Sequence, residues 1–441
     1  MPGAHGIAAQ RTRLREPELK EKKLFDSAWK RFAVSSGAAL VLAASAVPFA
    51  AVVAQAAGSH TLSPNTVFYV PKPVSGAVNQ VASLWSSKDQ IDSNRIDQMI
   101  NTPQAVWFNG GSPAQVAAKV GATVGRAGEL GTVPILVAYN IPGRDCGQYS
   151  AGGALDAASY AAWIDGFAKG IGTGTAIVIL EPDGLGLLPS KCSPPSTAFT
   201  DADRYLELNA AVDRLELQPN VLVYLDATHS SWLGVGDAAQ RLLLGGVQRA
   251  QGFFLNVSNY QPTETLTLYG TWISDCIART EAVSWYDPTW CPGQYSATTG
   301  YSLDWSAANI AYVNDQYASW YFEPTTHFVI DTSRNGQGPW DWATAGYTSA
   351  AAAQDWCNPP DRGVGLRPTA NTGVPLLDAY LWVKIPGASD GSCNRSVENS
   401  TTDPEWGGIV DPIAGAWFPQ MALQLAQNAE PPFVVPAKIH R

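Results

Sequence analysis

The chain has 441 residues, of which 46 % are hydrophobic and only 15 % are charged, which is typical of a well-packed globular protein. Residues 1–57 hold 8 of the 28 basic and 4 of the 38 acidic residues, which leaves a net charge of −14 in residues 58–441. Such a charge repels nucleic acid and anionic lipid, so it argues against nucleic-acid binding and favours a neutral partner.

The first 57 residues predict an export signal. A basic segment precedes the uncharged apolar stretch 32–57, which ends in the small residues Ala54-Gln55-Ala56. We expect a cleaved signal peptide and a secreted protein, with an uncleaved membrane anchor as the alternative. Residues 58–441 are then expected to form a single domain.

Cysteine usage supports an oxidising compartment. All six cysteines lie in residues 58–441, and an even count outside the cytosol predicts three disulfides, for which the sequence alone allows 15 pairings. No spacing of Cys or His resembles a zinc site, so we expect neither a metal nor a cofactor.

Seven apolar strand candidates alternate with helical patterns. This alternation predicts an α/β fold with a parallel sheet. Right-handed crossovers favour a distorted β/α barrel of about seven strands with its active site at the C-terminal strand ends, and an open doubly wound sheet is the alternative. The strand candidates are 105–109, 133–139, 176–182, 220–226, 253–258, 327–332 and 379–385.

Two local signals refine this pattern. Ser112 and Pro113 are suited to begin a helix as its cap and first residue. Gly170-x-Gly172-x-Gly174 resembles a dinucleotide fingerprint, but it precedes a strand instead of following one. We therefore interpret it as a helix-ending turn and not as a cofactor loop.

Polar side chains follow almost every predicted strand. In 176–186, five apolar residues lead into Glu181-Pro182-Asp183, and buried carboxylates are costly unless they are paired or used. A lone Asp there often only caps a helix, and Asp226 and Asp331 have the alternative role of binding Arg334 or loop amides. Several carboxylates on one rim, in a chain with 16 Trp, favour glycoside hydrolysis. The strand ends and their loops carry Tyr139, Asp145, Asp183, Asp226, His229, Asn259, Asp331, Lys384 and Asp390.

Two long motifs carry a resemblance to a known family. AYNIPGRDCGQYSAGG (138–153) and VILEPDGLG (178–186) resemble the signatures of glycoside hydrolase family 6, the family of inverting cellulases. LDATHSSWL, NVSNYQPT, IDTSRNGQG, WCNPPDRGVG and LWVKIPGASDG also match, so the resemblance covers roughly residues 65–430. It implies that residues 58–441 form one catalytic domain that hydrolyses β-1,4-glucosidic bonds in cellulose or related β-glucans.

The resemblance also implies roles for individual residues. Asp183 matches the general acid, and Asp145 matches the aspartate that raises the pKa of that acid and stabilises the sugar cation. Asp390 matches the candidate base, and Tyr139 matches the tyrosine beside the reacting sugar. Glu181 is expected to orient its surroundings and not to react.

Substrate contacts and disulfides follow from the same resemblance. The disulfides of the family imply the pairs Cys146–Cys192 and Cys357–Cys393, which leaves Cys276 with Cys291. The residues expected to bind substrate are Lys384, His229, Asn259, Trp356 and Trp107.

Two departures from the family keep other functions open. Ala388 stands where related sequences often have a substrate-binding Glu, and Thr228 replaces a usual Gly. We expect a monomer. The loop after Cys146 is short, as in the endo-acting members of the family, so the resemblance implies an endo-acting enzyme. The alternatives are an exo-acting cellobiohydrolase and a weakly active carbohydrate-binding surface protein.

Overall fold

Seven parallel strands form the central sheet of the protein. The computed structural model describes residues 62–296 and 300–435, so the predicted signal segment 1–57 lies outside the described residues. The strands are β1 (Val106–Phe108), β2 (Ile135–Ala138), β3 (Ala176–Leu180), β4 (Val221–Asp226), β5 (Gly252–Leu255), β6 (Tyr295–Ser296), β7 (Ser302–Leu303), β8 (His327–Asp331) and β9 (Leu377–Leu381).

The sheet order is β1-β2-β3-β4-β5-β8-β9, and β6 pairs with β7 separately. The sheet curls into a half-barrel, and the Ala105 N–H donates to the Trp382 carbonyl (2.9 Å) between its two edge strands. The predicted seven-stranded parallel barrel is therefore confirmed. The last strand was placed too late along the chain, because 382–385 already belongs to the loop that follows β9.

Helices connect the strands and cover the outside of the sheet. Ser112 caps α3 together with Gln115, and Pro113 is the first residue of α3, as predicted. Gly172 ends α4 with a φ of 59°, which confirms the helix-ending turn. The helices are α1 (Ser75–Ser86), α2 (Gln90–Ile100), α3 (Pro113–Glu129), α4 (Ala157–Ile171), α5 (Asp201–Leu215), α6 (Val235–Gly245), α7 (Thr263–Ala282), α8 (Ala307–Ala318), α9 (Ala350–Ala353) and α10 (Pro419–Gln427).

Both faces of the sheet are buried. In β3, Val178 and Leu180 pack beneath the helices, while Ile177 and Ile179 contribute to an apolar cluster inside the half-barrel. A strand buried on both faces is continuously apolar, which explains the uninterrupted run before Glu181. The first polar side chains after this run therefore lie at the rim.

Three disulfides fix loops around this scaffold. The pairs are Cys146–Cys192, Cys276–Cys291 and Cys357–Cys393, as predicted. Among the helices of the described residues, none is both long enough and apolar enough to cross a membrane.

Candidate active site

The loop after β3 places Asp183 on the rim of the half-barrel. Glu181 and Asp183 have positive φ angles of 52° and 65°, and the Gly184 N–H donates to the Glu181 carbonyl (2.8 Å). Left-handed backbone costs a residue other than glycine about 1 kcal/mol or more, so surrounding contacts must hold this turn in place.

Asp226 and Arg241 hold the turn from one side. Asp226, at the end of β4, accepts the backbone N–H groups of Leu185 (3.2 Å) and Gly186 (3.0 Å). Arg241 of α6 donates to the carbonyls of the same two residues (2.7 and 3.0 Å). Asp226 therefore binds loop amides, which is the structural alternative considered for it.

Glu181 and Arg204 connect this turn to the loop after β2. The buried Glu181 carboxylate accepts N–H groups at 140–141 (2.9 and 3.0 Å), and burial raises its pKa to about 7. Arg204 of α5 donates to the carbonyls of Gly184 (2.7 Å) and Pro142 (2.9 Å). These contacts fix the loop that carries Asp145 relative to the one that carries Asp183.

Asp145 lies in that second loop. Its carboxylate accepts the Ser150 N–H (2.6 Å), and burial raises its pKa. The neighbouring Arg144 donates to the Tyr139 carbonyl (2.5 Å), and its guanidinium carbon lies 4.5 Å from the centre of the Tyr139 ring. Arg144 also donates to the Ser150 carbonyl (2.8 Å), so it connects Tyr139 to the segment that binds the Asp145 carboxylate.

The surroundings of Asp183 favour its neutral form. Burial raises the pKa of Asp183 well above its ordinary value, and the negative charges of Asp226, Asp145 and Asp390 raise it further, while Lys384 opposes them. A carboxylic acid whose pKa is raised in this way is suited to protonate a leaving group.

Asp390 has the opposite environment. Arg334 Nη1 and Lys384 Nζ each lie 2.8 Å from its carboxylate, and the Asn358 N–H donates to it (3.0 Å). Burial alone would raise its pKa, but the two cations outweigh burial and lower the pKa of Asp390 to about 2. The group is therefore an anion at every pH at which the enzyme is expected to work.

Asp331 supports this region and does not pair with Arg334. It accepts the N–H groups of Ser258 (3.2 Å), Val383 (3.1 Å) and Lys384 (3.0 Å), so it ties the loops after β5 and β9 together. Like Asp226, it binds loop amides, while Arg334 is used by Asp390.

His229 is one of the predicted sugar contacts. Burial lowers its pKa to about 3, so the ring is neutral. Its Nδ1 accepts the Ser231 N–H (3.2 Å), which leaves Nε2 to carry the proton. A neutral ring with a fixed N–H is suited to donate to a sugar hydroxyl. The Trp232 ring centre lies 5.7 Å from the His229 ring.

Two of the predicted aromatic contacts sit at different places on the rim. Trp107 packs edge-on to Tyr139 with ring centres 5.3 Å apart, and its indole N–H donates to the Val383 carbonyl (2.8 Å). Trp356 is 37 % exposed and lies 5.8 Å from the Tyr149 ring. Both can offer a ring face to a sugar.

Asn259 completes the predicted set. It follows β5 and is held by hydrogen bonds to its own main chain: its N–H donates to the Asn256 carbonyl (2.9 Å) and its carbonyl accepts from the Asn256 side chain (3.3 Å).

Comparison with known proteins identifies the family. Residues 63–429 match the model of "Glycosyl hydrolases family 6". The chain belongs to glycosyl hydrolase family 6.

Several characterised proteins of this family resemble the chain. Endoglucanase A of Cellulomonas fimi is 35 % identical over 81 % of this chain and 62 % of that protein. Endoglucanase 1 of Streptomyces halstedii is 35 % identical over 80 % of this chain and 91 % of that protein. The chain thus spans less than two thirds of the first relative but most of the second.

A solved structure extends the likeness to three dimensions. The endoglucanase Cel6 from Mycobacterium tuberculosis, solved in complex with methyl-cellobiosyl-4-deoxy-4-thio-β-D-cellobioside, is 32 % identical with a TM-score of 0.60. The match covers 83 % of this chain and 99 % of that one.

The two departures from the family pattern have structural consequences. Ala388 is buried and forms an isolated backbone bridge with Trp417, so it offers no polar group to a substrate. Thr228 has a φ of 59°, a conformation that glycine adopts without cost, so Thr at this position carries strain of about 1 kcal/mol.

One group of potential metal ligands occurs among the described residues. Atoms of Cys393, Asp403 and Asp411 lie within 4.8 Å of one another. The Cys393 sulfur is bonded to Cys357, and Arg395 Nη2 lies 2.6 Å from the Asp403 carboxylate. With one sulfur oxidised and one carboxylate already paired with a cation, this trio does not fit a metal ion.

Sequence reasoning missed the residues that hold the acids in place. Arg204 and Arg241 come from helices and act through backbone carbonyls, so no motif marks them. Asn358 lies in WCNPPDRGVG and Tyr149 in the first long motif, but the resemblance implies no role for either. Their position inside matched segments was the available signal.

Proposed function

We propose that the protein is a secreted, inverting hydrolase of β-1,4-glucosidic bonds in cellulose or related β-glucans, and that it is endo-acting. The observation that carries this proposal is that the pKa values of two carboxyl groups on one rim are shifted in opposite directions. Asp183 is kept protonated by burial and nearby anions, and Asp390 is kept ionised by Arg334 and Lys384. Two carboxyl groups with such different pKa values are suited to act as acid and base.

In the proposed reaction, Asp183 gives its proton to the glycosidic oxygen as the bond from that oxygen to the anomeric carbon breaks. Water attacks the anomeric carbon from the opposite face, which inverts its configuration, and the proton of that water passes to Asp390. Asp145 stabilises the positive charge that develops on the sugar. Because the low pKa of Asp390 makes it a weak base, the attack depends on how accurately the carboxylate is placed.

Substrate binding divides into stacking and hydrogen bonding. Trp107 and Trp356 offer ring faces to the apolar faces of glucose units. His229, Asn259 and Lys384 offer polar groups to sugar hydroxyls. The net negative charge of the chain also favours a neutral glycan over an anionic one.

Endo action is supported by the names of the two relatives described above, which are endoglucanases, whereas other relatives, at 29–32 % identity, are named probable cellobiohydrolases. One contact favours exo action as the second candidate. Tyr149, in the loop that carries Asp145, lies against Gly391, so that a Cβ on this glycine would come within 2.6 Å of the tyrosine. The loops of Asp145 and Asp390 therefore meet at Tyr149, and such a bridge restricts entry of a long glucan.

Reducing-sugar release from carboxymethyl-cellulose, with viscosity followed in parallel, tests this function. We expect release by the parent protein with a rapid fall in viscosity, and no release by the matched variant Asp183→Ala. Assays of cell-free medium and of washed cells from the expressing culture separate export from anchoring. Activity in the medium, on a chain that begins near residue 58, supports a cleaved signal.

The contrary result has a defined meaning. If folded protein binds glucan but releases no sugar from any β-glucan, the carbohydrate-binding alternative replaces the enzyme. Ala388→Glu is then the first variant to make, because it restores the polar group that related sequences often have at this position.

A further inference from the structure

Asn358 forms several hydrogen bonds to the loop that carries Asp390. Its side chain is fully buried, and it has a φ of 42°. Its backbone N–H donates to the Asp390 carboxylate (3.0 Å), and its side-chain oxygen accepts the Asp390 N–H (2.8 Å). One residue thus binds both the main chain and the carboxylate of the candidate base.

The side-chain amide nitrogen of Asn358 donates hydrogen bonds to other residues near Asp390. It donates to the Gly391 carbonyl (3.0 Å), to Ser389 Oγ (3.0 Å) and to Asp411 Oδ2 (2.8 Å). The residues on both sides of Asp390 are thereby fixed from a segment 32 residues earlier in the chain. The disulfide from Cys357 to Cys393 fastens the same two segments.

Asp411 lies beside a second acidic residue, Asp403. The other oxygen of Asp411, Oδ1, is buried and accepts no hydrogen bond among the described residues. A carboxyl proton on this oxygen can be donated to Asp403, whose carboxyl group lies 2.6 Å from Arg395 Nη2. Arg395 also donates to the Asn358 carbonyl (2.9 Å). The two acids, the arginine and Asn358 form one connected group.

We propose that Asn358 is a positioning residue for Asp390, and that it requires a protonated Asp411 to hold this place. The inference rests on the proposed role of Asp390 as base. Arg334 and Lys384 set the charge of Asp390, but a cation attracts a carboxylate from any direction. The two hydrogen bonds of Asn358 fix its orientation toward the attacking water.

The requirement for protonated Asp411 follows from the groups that face it. The carboxyl group of Asp403 lies within 4.8 Å, Arg395 is the nearby cation, and the Asn358 amide donates a hydrogen bond to Asp411. Burial, with the Asp403 charge, raises the pKa of Asp411 to about 7. Above that pH two carboxylates face each other without a shared proton, and their repulsion moves Asp411 away from Asn358.

Replacement of Asn358 tests the first half of the proposal. Asn358→Gly removes the side chain and tolerates the left-handed backbone, and we expect kcat on carboxymethyl-cellulose to fall by about tenfold or more with KM changed by less than about threefold. Asn399→Gly is the matched control, since Asn399 is an exposed Asn in the segment after Asp390 with a φ of 58°. It should keep the parent kcat. Parent kcat in a folded Asn358→Gly protein would overturn the proposal.

The pH profile tests the second half, and it remains informative if Asn358→Gly does not fold. A β-cellobiosyl fluoride needs no protonation of its leaving group, so its hydrolysis removes the dependence on Asp183. We expect the parent to lose kcat on this substrate with a midpoint near pH 7. Asp411→Asn, whose amide reproduces the protonated acid, should move that midpoint upward by at least about one pH unit. An unmoved midpoint would refute the Asp411 requirement.

Asp390→Ala, measured beside these variants, separates the two levels of inference. If it keeps the parent kcat, the base assignment is wrong and the role of Asn358 falls with it. If Asp390→Ala loses activity while folded Asn358→Gly does not, the base assignment stands and only the positioning proposal is refuted.

Discussion

At the scale of single residues, Asp183 illustrates how burial raises the pKa of a carboxyl group. Three aspartates raise its pKa and Lys384 lowers it, so its protonation depends on a balance within one rim and not on its own position alone. The turn around it is strained and is held by buried arginines and by Asp226. The surroundings of Asp183 therefore both raise its pKa and hold its turn in place.

A leaving-group comparison tests the acid role. Asp183→Ala should lose about 100-fold or more in kcat on unactivated cello-oligosaccharides, because departure of a sugar alkoxide requires protonation. On a dinitrophenyl β-cellobioside, which has a good leaving group, the loss should be at least tenfold smaller. Steady-state kinetics on both substrates measures the difference. Equal losses on the two would assign Asp183 to binding or folding instead.

The sequence predicted which carboxyl groups lie together on the rim, but it did not predict the residues that support them. Asp145, Asp183 and Asp390 lie in motifs that continue from strands, so topology alone brings them to one rim. Arg241 contacts residues 55 and 56 positions away in the chain. Contacts at that separation depend on how α6 packs, which no local pattern encodes.

At the scale of elements, strands buried on both faces were predictable and some helices were not. Continuous apolar runs marked the strands, and Ser112 with Pro113 marked the start of α3. Two unpredicted helices, α6 and α7, follow Gly234 and Pro262 and have no side-chain cap. These two helices were not predicted because they lack a capping residue that marks where a helix begins, and because tertiary packing decides their bounds.

The loop that carries Tyr149 is the element that we expect to affect the cleavage pattern. Tyr149 contacts Gly391 and accepts a hydrogen bond from Gln354 (3.3 Å), so it joins three segments of the rim. Tyr149→Ala should open this bridge and increase the fall in viscosity per reducing end released from carboxymethyl-cellulose, by about twofold or more. Tyr312→Ala, at an exposed tyrosine of α8, is the control. An unchanged ratio in Tyr149→Ala would show that the bridge does not restrict access.

At the scale of the whole molecule, buried carboxyl groups decide how stability depends on pH. Burial raises the pKa values of these groups to about 6 or 7. Each binds a proton more tightly in the folded protein than in the unfolded chain, so stability falls as pH rises from the unfolded pKa to the folded one. The groups are Glu181, Glu207, Glu216, Asp226, Asp275 and Asp411.

Asp390 has the opposite effect on the pH dependence of stability. Its pKa is lowered to about 2, so the stability it contributes is present above its unfolded value of about 4 and is lost as pH falls toward 2. Together these groups predict greatest stability at about pH 4–5, on the acid side of neutrality. Raising the pH from 5 to 8 should lower Tm by at least about 5 °C, which calorimetry at constant ionic strength measures.

A single buried glutamate tests the cause of this slope. Burial alone raises the pKa of Glu216, and its Oε1 accepts no hydrogen bond from the described residues. Glu216→Gln keeps the shape without the titration, so the variant should lose less Tm than the parent between pH 5 and pH 8. Glu398→Gln, at an exposed position, should retain the parent slope. If Tm of the parent rises toward pH 8, or if both variants have the same slope, buried carboxyl groups do not control the pH dependence.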